Sequence, residues 1–129
     1  PVTASTKDDA IWSSSNHNDA TLLAAPGSSI STFDSDGSTV TSSGTSFSSP
    51  FVAGAASLLL EDDPSLDEGS LKDSLIHSGT LLNESGRSFS RLDVTNALDG
   101  VVTNNLSAGN LSGNGFCNSV FSYHIFYPD

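Results

Sequence analysis

The longest apolar run of the chain covers residues 51–60. Apolar and small residues occur all round this segment rather than on one stripe, a pattern that predicts a buried core helix. The helix is expected to run from residue 45 to about residue 61, because Pro64 follows and proline forbids continuation. The run is too short to span a bilayer, which needs about 20 residues, so no membrane partner is expected.

Four shorter segments have the length and residue types of strands: residues 2–5, 22–25, 30–33 and 38–41. The pair Pro26 and Gly27 closes the second strand in a turn. The third and fourth strands flank the polar residues 34–37, which predicts a hairpin. Residues 7–19 are polar and are expected to form a surface loop.

Downstream of the long helix, the pattern predicts two further helices. Asp67 is expected to cap the first, whose apolar face consists of Leu71, Leu75 and Ile76. Gly79 is expected to end it as a residue of left-handed conformation. A loop around Gly86 then leads to a short helix over residues 94–98.

The charge balance is acidic, with 15 Asp and Glu residues against 4 Lys and Arg residues. No nucleic-acid partner is expected, because phosphate contacts need clustered basic residues. Acidity with abundant polar residues suits a well-hydrated exported protein or one from salty water. The lone Cys117 cannot form an internal disulfide and therefore says nothing about the redox compartment.

The main candidate for chemistry is Ser46, which stands at the mouth of the predicted long helix, after Gly44 and Thr45. Backbone N–H groups in a first helical turn have no partner inside the helix, and the helix dipole is positive there. An oxyanion forming beside Ser46 would therefore be stabilised. Thr45 is expected to be the N-cap, and Gly44 to let a bound carbonyl approach closely.

Two other serine chemistries do not fit the residues around Ser46. A nucleophile elbow needs glycine two positions after the serine, where Ser48 stands. A serine/lysine hydrolase of the penicillin-binding type needs a Ser-x-x-Lys pattern, and no such pattern occurs in the chain.

The run from Gly44 to Gly54 resembles the serine signature of the subtilases, the subtilisin-like serine endopeptidases. Residues 23–27 look like the family's apolar strand that ends in Ala-Pro-Gly. Residues 64–76 and 91–98 look like its next helix and its closing helix. The resemblance covers about three quarters of the chain and ends at Gly100. It implies an α/β fold, namely the incomplete C-terminal portion of a subtilisin-like three-layer domain with a parallel sheet.

The resemblance implies that the chain belongs to a secreted or extracellular endopeptidase that acts on protein or peptide substrates. Ser46 would be the nucleophile, and its N–H would form one half of the oxyanion hole. Gly44 and Thr45 would shape the turn at the substrate, and Ser43, with Ser42, would lie near the leaving group. The chain departs from the common family pattern at three positions: Phe47, Ser48 and Phe51.

The partners of a catalytic serine are missing from the segment before Ser46. No Asp-Thr-Gly segment followed by a His-Gly-Thr segment occurs there. His17 lies in a polar loop and is expected to be solvated, His77 ends a helix, and His124 lies in an aromatic tail. In the family that the chain resembles, the Asp, the His and the oxyanion Asn lie upstream of the serine, so an upstream part of the same domain is expected to supply them. This chain alone is expected to be inactive.

No cofactor is expected for the chemistry. The loop of Asp34, Asp36 and Gly37 fails as an EF-hand, because its twelfth position is Thr45 rather than Glu. The resemblance also suggests structural calcium, at sites that this sequence does not locate.

The chain divides by composition into three parts. Residues 1–99 are assigned to the catalytic domain, and residues 100–115, rich in Asn, Ser and Gly, to a linker. Residues 116–129 form an aromatic tail. The tail could begin a further domain, pack on the protease as a strand or be a disordered end.

Two alternatives remain beside the protease. A noncatalytic protease remnant could bind a partner without cutting it, and a surface protein rich in Ser and Asp could carry the motif by accident. The intact helix motif argues against the surface protein. Only upstream residues separate the protease from the remnant.

Overall fold

The computed structural model describes the backbone of residues 1–107 and the side chains of residues 1–100. The elements in chain order are β1 (Val2–Ser5), β2 (Leu23–Pro26), β3 (Ile30–Phe33), β4 (Thr39–Ser42), α1 (Thr45–Asp62), α2 (Glu68–His77), β5 (Leu81–Glu84), β6 (Arg87–Arg91) and α3 (Val94–Ser107). A four-stranded sheet has the order β1-β2-β6-β5, and β3 and β4 form a separate hairpin. The expected α/β class is confirmed.

The first three strands of the sheet order, β1, β2 and β6, are parallel, and β5 is antiparallel to β6. β2 lies inside the sheet, with Ala24 and Ala25 fully buried. Leu23 and Ala25 share the face on which α1 packs, and the small side chain of Ala25 lets α1 approach β1 and β2 closely. Because β1, β2 and β6 are parallel, their carboxyl ends meet at one edge of the sheet, called here the carboxyl edge. Their amino ends meet at the opposite edge, called here the amino edge.

Within residues 1–100, the smaller of two buried apolar clusters contains Ile11, Ala24, Leu82 and Phe89. The larger cluster lies between the sheet and the three helices. Its buried apolar side chains are Leu23, Ala55, Leu59, Leu75 and Ala97. Leu59 is completely buried, and burial of one such side chain contributes about 2 kcal/mol to folding. This core fixes the axis of α1 and, through it, the position of the helix N-terminus.

The expectation that α1 is buried all round was wrong for the described residues. One face is buried through Ser48, Ala55 and Leu59, whereas Ala53 and Gly54 on the other side are exposed. The mixed small and apolar composition concealed which face packs on the sheet, because both faces consist of similar residues.

The predicted N-cap of α2 is confirmed, and the predicted conformation of the glycine after its C-terminus was wrong. Asp67 is the N-cap, and its carboxylate accepts a hydrogen bond from the Ser70 N–H at 2.8 Å. This hydrogen bond lowers the pKa of Asp67. Gly79 does not have the left-handed conformation expected of it. A Cβ at Gly79 would lie 1.8 Å from the carbonyl oxygen of Arg91, so the position requires glycine for lack of space.

Two segments contain more regular structure than expected. The loop around Gly86 is the turn of a β5–β6 hairpin, in which Ser85 and Gly86 have φ angles of 51° and 77°. α3 continues through Ser107, so residues 101–107 are helical rather than part of a linker. The remaining linker prediction, the aromatic tail, Cys117 and His124 lie outside the described residues.

The loop of residues 7–19 is not wholly at the surface. Ile11 and Ser15 are buried. Ser15 Oγ accepts a hydrogen bond from the Ala4 N–H at 2.8 Å, and the Trp12 N–H donates to the Ala4 carbonyl at 2.8 Å. The loop thus satisfies backbone groups on the outer side of β1, which is why the polar side chain of Ser15 is buried there. None of the helices within residues 1–107 has the length and apolar character to cross a membrane.

Candidate active site

Ser46, the predicted nucleophile, is the second residue of α1, and its side chain is exposed. Residues 43–46, called here the serine turn, join the β3–β4 hairpin to α1. The Gly44 N–H donates a hydrogen bond to the Gly27 carbonyl at 2.7 Å, and Ser43 Oγ accepts one from the Ser29 N–H at 2.8 Å. The serine turn is therefore fixed to the chain that leaves β2 at the carboxyl edge.

Ser48 anchors the first turn of α1 to β2. Its side chain is completely buried, and Oγ donates a hydrogen bond to the Ala25 carbonyl at 3.0 Å. A Cβ at Gly27 would lie 2.2 Å from Ser48 Oγ and 2.9 Å from the Gly44 carbonyl oxygen. The strand end and the helix start can approach this closely only with glycine at position 27.

In the sequence, Ser48 stands out only because it departs from the common pattern of the family that the chain resembles. Its role as an anchor had no clear sequence signal, because its partner is a backbone carbonyl 23 residues earlier in the chain.

The N-cap prediction at Thr45 was wrong. Gly44 is the N-cap, no side chain hydrogen-bonds to the cap, and Thr45 is the first helical residue. The Phe47 N–H donates to the Gly44 carbonyl at 3.1 Å. The Ser46 N–H has no acceptor among the described residues, so it and the positive end of the helix dipole remain available to an anion.

Gly44 leaves space beside the serine hydroxyl. A Cβ at this position would lie 3.2 Å from Ser46 Oγ. Its extended backbone (φ 162°) is accessible to any residue, so the requirement is spatial rather than conformational. Ser46 Oγ itself has no hydrogen-bond partner within residues 1–100, and Ser46 is an exposed residue.

The expectation that His17 is solvated was wrong. Its side chain is 17% exposed, and the ring packs edge-on against Phe89 with centroids 5.0 Å apart. His17 Nε2 lies 3.8 Å from Glu84 Oε2. Phe89 and Glu84 belong to the β5–β6 hairpin, whose turn precedes β6 and lies at the amino edge. His17 is therefore at the opposite edge of the sheet from Ser46.

His77 is exposed at the end of α2, and its Nδ1 lies 2.9 Å from the Asp73 carbonyl of the same helix. Neither described histidine contacts Ser46. Within residues 1–100, the base that a serine nucleophile needs is not assembled.

Residues 34–37, which carry the carboxylates of Asp34 and Asp36, form the turn of the β3–β4 hairpin, as predicted. The Asp34 N–H donates to the Ser38 carbonyl at 2.8 Å, and Gly37 has a φ of 83°. Asp36 accepts a hydrogen bond from the Ser38 N–H, and hydrogen bonding by Ser38 lowers its pKa. No group of three His, Cys, Asp or Glu side chains within the described part of the chain could hold a metal ion.

The described part of the chain thus places an exposed serine at the N-terminus of a helix, with an unpaired N–H at Ser46 and a closely packed first helical turn. The sequence model of the subtilase family matches residues 2–115. The chain therefore belongs to the subtilase family. The match extends beyond Gly100, where the resemblance was expected to end.

Known proteins agree with this assignment. The chain is 48% identical over 59 residues to Subtilisin-like protease 6 of Arthroderma benhamiae, an alignment that covers 46% of this chain and 14% of that protein. Its structure is similar to the prenylagaramide maturation protease PagA, with a TM-score of 0.67 and 29% identity over 78% of this chain and 41% of PagA. The patellamide maturation protease PatA is similar at a TM-score of 0.64 and 25% identity, over 79% of this chain and 42% of PatA. The chain thus spans less than half the length of each relative.

Proposed function

We propose that the chain contains the serine-bearing, C-terminal part of the catalytic domain of a secreted serine endopeptidase whose nucleophile is Ser46. Protein or peptide is the substrate, and the chemistry needs no cofactor. The observation that carries the proposal is the serine turn, which holds an exposed hydroxyl and a free N–H at the start of α1. Its fixed position supports the proposal, because catalysis by positioned dipoles requires donors that do not rearrange during the reaction.

In the proposed mechanism, Ser46 Oγ attacks the carbonyl carbon of the scissile peptide bond while a histidine removes its proton. The carbonyl oxygen becomes an oxyanion and accepts a hydrogen bond from the Ser46 N–H. Collapse of this intermediate expels the amine, which takes the proton from the histidine, and leaves an acyl group on Ser46. Water activated by the same histidine then hydrolyses the ester.

The residues around Ser46 have distinct parts in this mechanism. Gly44 leaves room beside the hydroxyl for the substrate carbonyl, since a Cβ would stand 3.2 Å from Ser46 Oγ. Thr45 begins the helix and presents its backbone next to the substrate. Ser43 holds the turn to Ser29 through its hydroxyl and lies on the leaving-group side.

The Asp, the His and the second oxyanion donor are proposed to come from an upstream segment of the same domain. The separation of the described histidines from Ser46 supports this division. The chain by itself is accordingly expected to have no peptidase activity, since serine is a weak nucleophile without a base.

A fluorophosphonate probe tests the proposal on the full-length gene product, because activated serines react with it and idle ones do not. We expect phosphonylation of Ser46, loss of labelling in Ser46→Ala, and normal labelling in the matched control Ser49→Ala. Ser49 is an exposed serine of the same helical turn, and its hydroxyl donates only to the Thr45 carbonyl at 3.2 Å.

The same experiment separates the protease from a noncatalytic remnant. A folded full-length product that leaves Ser46 unlabelled would contradict the proposed activity and favour a binding role. Labelling of Ser46 in the isolated chain would contradict the proposed dependence on upstream residues.

A further inference from the structure

The β5–β6 hairpin carries a motif that the proposed mechanism does not use. Asn83, Glu84 and Ser85 form an Asn-x-Ser sequence, the acceptor pattern for N-linked glycosylation in secreted proteins. The same pattern occurs at Asn105 and Asn110, beyond the residues whose side chains are described. Because so short a pattern also arises by chance, the placement of Asn83 decides whether it can act as an acceptor.

The strand turns the two acceptor residues of the motif to solvent and the middle residue inward. Successive side chains of a strand point to opposite faces. Leu82 is buried and Glu84 Oε2 is buried beside His17, whereas Asn83 and Ser85 are exposed. The asparagine amide and the serine hydroxyl are thus accessible together.

The amide nitrogen that would be glycosylated is free. Asn83 Oδ1 accepts a hydrogen bond from Ser88 Oγ at 2.6 Å, across the two strands of the hairpin. Asn83 Nδ2 has no partner among the described residues. The hydrogen bond holds the side chain by its oxygen and leaves the nitrogen to solvent.

The surroundings of Asn83 favour a bulky hydrophilic group. β5 is the last strand of the sheet order, and no strand pairs with its outer side within residues 1–107. Leu81, two residues before Asn83 on the same face, is 62% exposed. Exposed edge strands with apolar side chains pair readily with other chains, and proteins protect such edges.

The serine turn is not in the way of such a group. The β5–β6 turn precedes β6 and lies at the amino edge, whereas Ser46 follows the carboxyl end of β2. A glycan on Asn83 therefore projects from the part of the sheet remote from the proposed substrate.

We propose that Asn83 is an N-glycosylation site whose glycan covers the open edge of β5. The inference rests on the proposed function in one respect, namely that the protein is secreted. In the reaction, Asn83 Nδ2 forms a bond to the anomeric carbon of an oligosaccharide carried on a polyprenyl diphosphate. The bond from that carbon to the diphosphate oxygen breaks, the polyprenyl diphosphate leaves with the electron pair, and Nδ2 loses one proton.

The test is to secrete the full-length gene product from a eukaryotic host and treat it with peptide-N-glycosidase in ¹⁸O-water. This treatment converts a glycosylated asparagine into ¹⁸O-labelled aspartate, which peptide mass spectrometry locates. We expect the label at Asn83 and the loss of one glycan mass in both Asn83→Gln and Ser85→Ala. Ser88→Ala, which removes a neighbouring hydroxyl but keeps the motif, is expected to retain the glycan.

An unlabelled Asn83 in the secreted protein would overturn the inference, as would retention of the protein in the cytosol. The fluorophosphonate reaction in the same samples keeps the two proposals apart. A labelled Ser46 with an unmodified Asn83 refutes only the glycan, and a glycosylated Asn83 with an unreactive Ser46 refutes only the peptidase.

The protective role of the glycan has its own measurement. Asn83→Gln is expected to aggregate faster than the wild-type protein while Ser46 reacts with the probe at an unchanged rate. Equal aggregation rates for the two proteins would refute the shielding of the edge.

Discussion

The two edges of the parallel sheet use glycine for different reasons. At the carboxyl edge, Gly27 and Gly44 are required for space, because a Cβ would meet Ser48 Oγ at 2.2 Å and Ser46 Oγ at 3.2 Å, respectively. At the amino edge, Gly86 has open space around it but a φ of 77°. Among these described glycines, the two that are required for space thus lie where the proposed chemistry takes place, whereas Gly86 is required for the conformation of a turn.

The largest expected effect comes from Gly27→Ala at the carboxyl edge. The new Cβ would lie under 3.0 Å from Ser48 Oγ, Ala4 Cβ and the Gly44 carbonyl oxygen, and two of these atoms belong to the packed scaffold rather than to a mobile side chain. We expect loss of soluble protein and of Ser46 labelling, because overpacking forces backbone shifts. Soluble yield and probe labelling of the full-length product measure this, and a well-folded, fully reactive variant would contradict the close approach.

Gly44→Ala is expected to reduce turnover more than stability. The added methyl group crowds Ser46 Oγ at 3.2 Å, whereas the extended backbone at Gly44 tolerates alanine. A small displacement of a nucleophile costs on the order of 10- to 100-fold in rate. We expect kcat on a peptide ester to fall by about this factor with a nearly unchanged Tm, and an unaltered kcat would show that the space beside Ser46 is not used.

Ser48→Ala removes the anchor beneath the serine turn. Loss of the hydrogen bond to the buried Ala25 carbonyl is expected to cost about 1–2 kcal/mol of unfolding free energy. Chemical denaturation of the full-length protein measures this loss. Ser49→Ala, whose hydroxyl is exposed, is the matched control and is expected to change stability less. Equal effects of the two substitutions would contradict the anchoring role.

The smallest effect on the reactivity of Ser46 is expected at the amino edge, from Gly86→Ala. Alanine at a φ of 77° is strained by about 1–2 kcal/mol, but a Cβ there meets nothing within 4 Å. We expect a modest loss of stability and an unchanged rate of probe reaction at Ser46. A marked drop in that rate would mean that the two edges are coupled.

The elements that the sequence predicts well are those with local signals. The apolar run defines α1 to within one residue of its observed end, and the turn at Gly37 predicts the β3–β4 hairpin. The β5–β6 hairpin is missed because its polar residues conceal a pattern in which only three side chains, those of Leu82, Phe89 and Ser90, are buried.

For the candidate site, the sequence alone indicates Ser46. Its role as the nucleophile stays a prediction until the chemistry is tested. The contacts that hold the serine turn cannot be predicted locally, because they join residues far apart in the chain. Ser48 bonds to the Ala25 carbonyl, and Gly44 to the Gly27 carbonyl. His17 is misjudged for the same reason, since the partners that bury it, Phe89 and Glu84, follow some 70 residues later.

The central claim is that Ser46 is a working nucleophile completed by residues encoded before Pro1, and the most direct measurement is the sequence of the gene upstream of the Pro1 codon. The account predicts an in-frame Asp-x-Gly segment, then a His-Gly-Thr segment and a later asparagine for the oxyanion hole. A start codon at or near Pro1, with none of these segments before it, would contradict the account and leave Ser46 without a base.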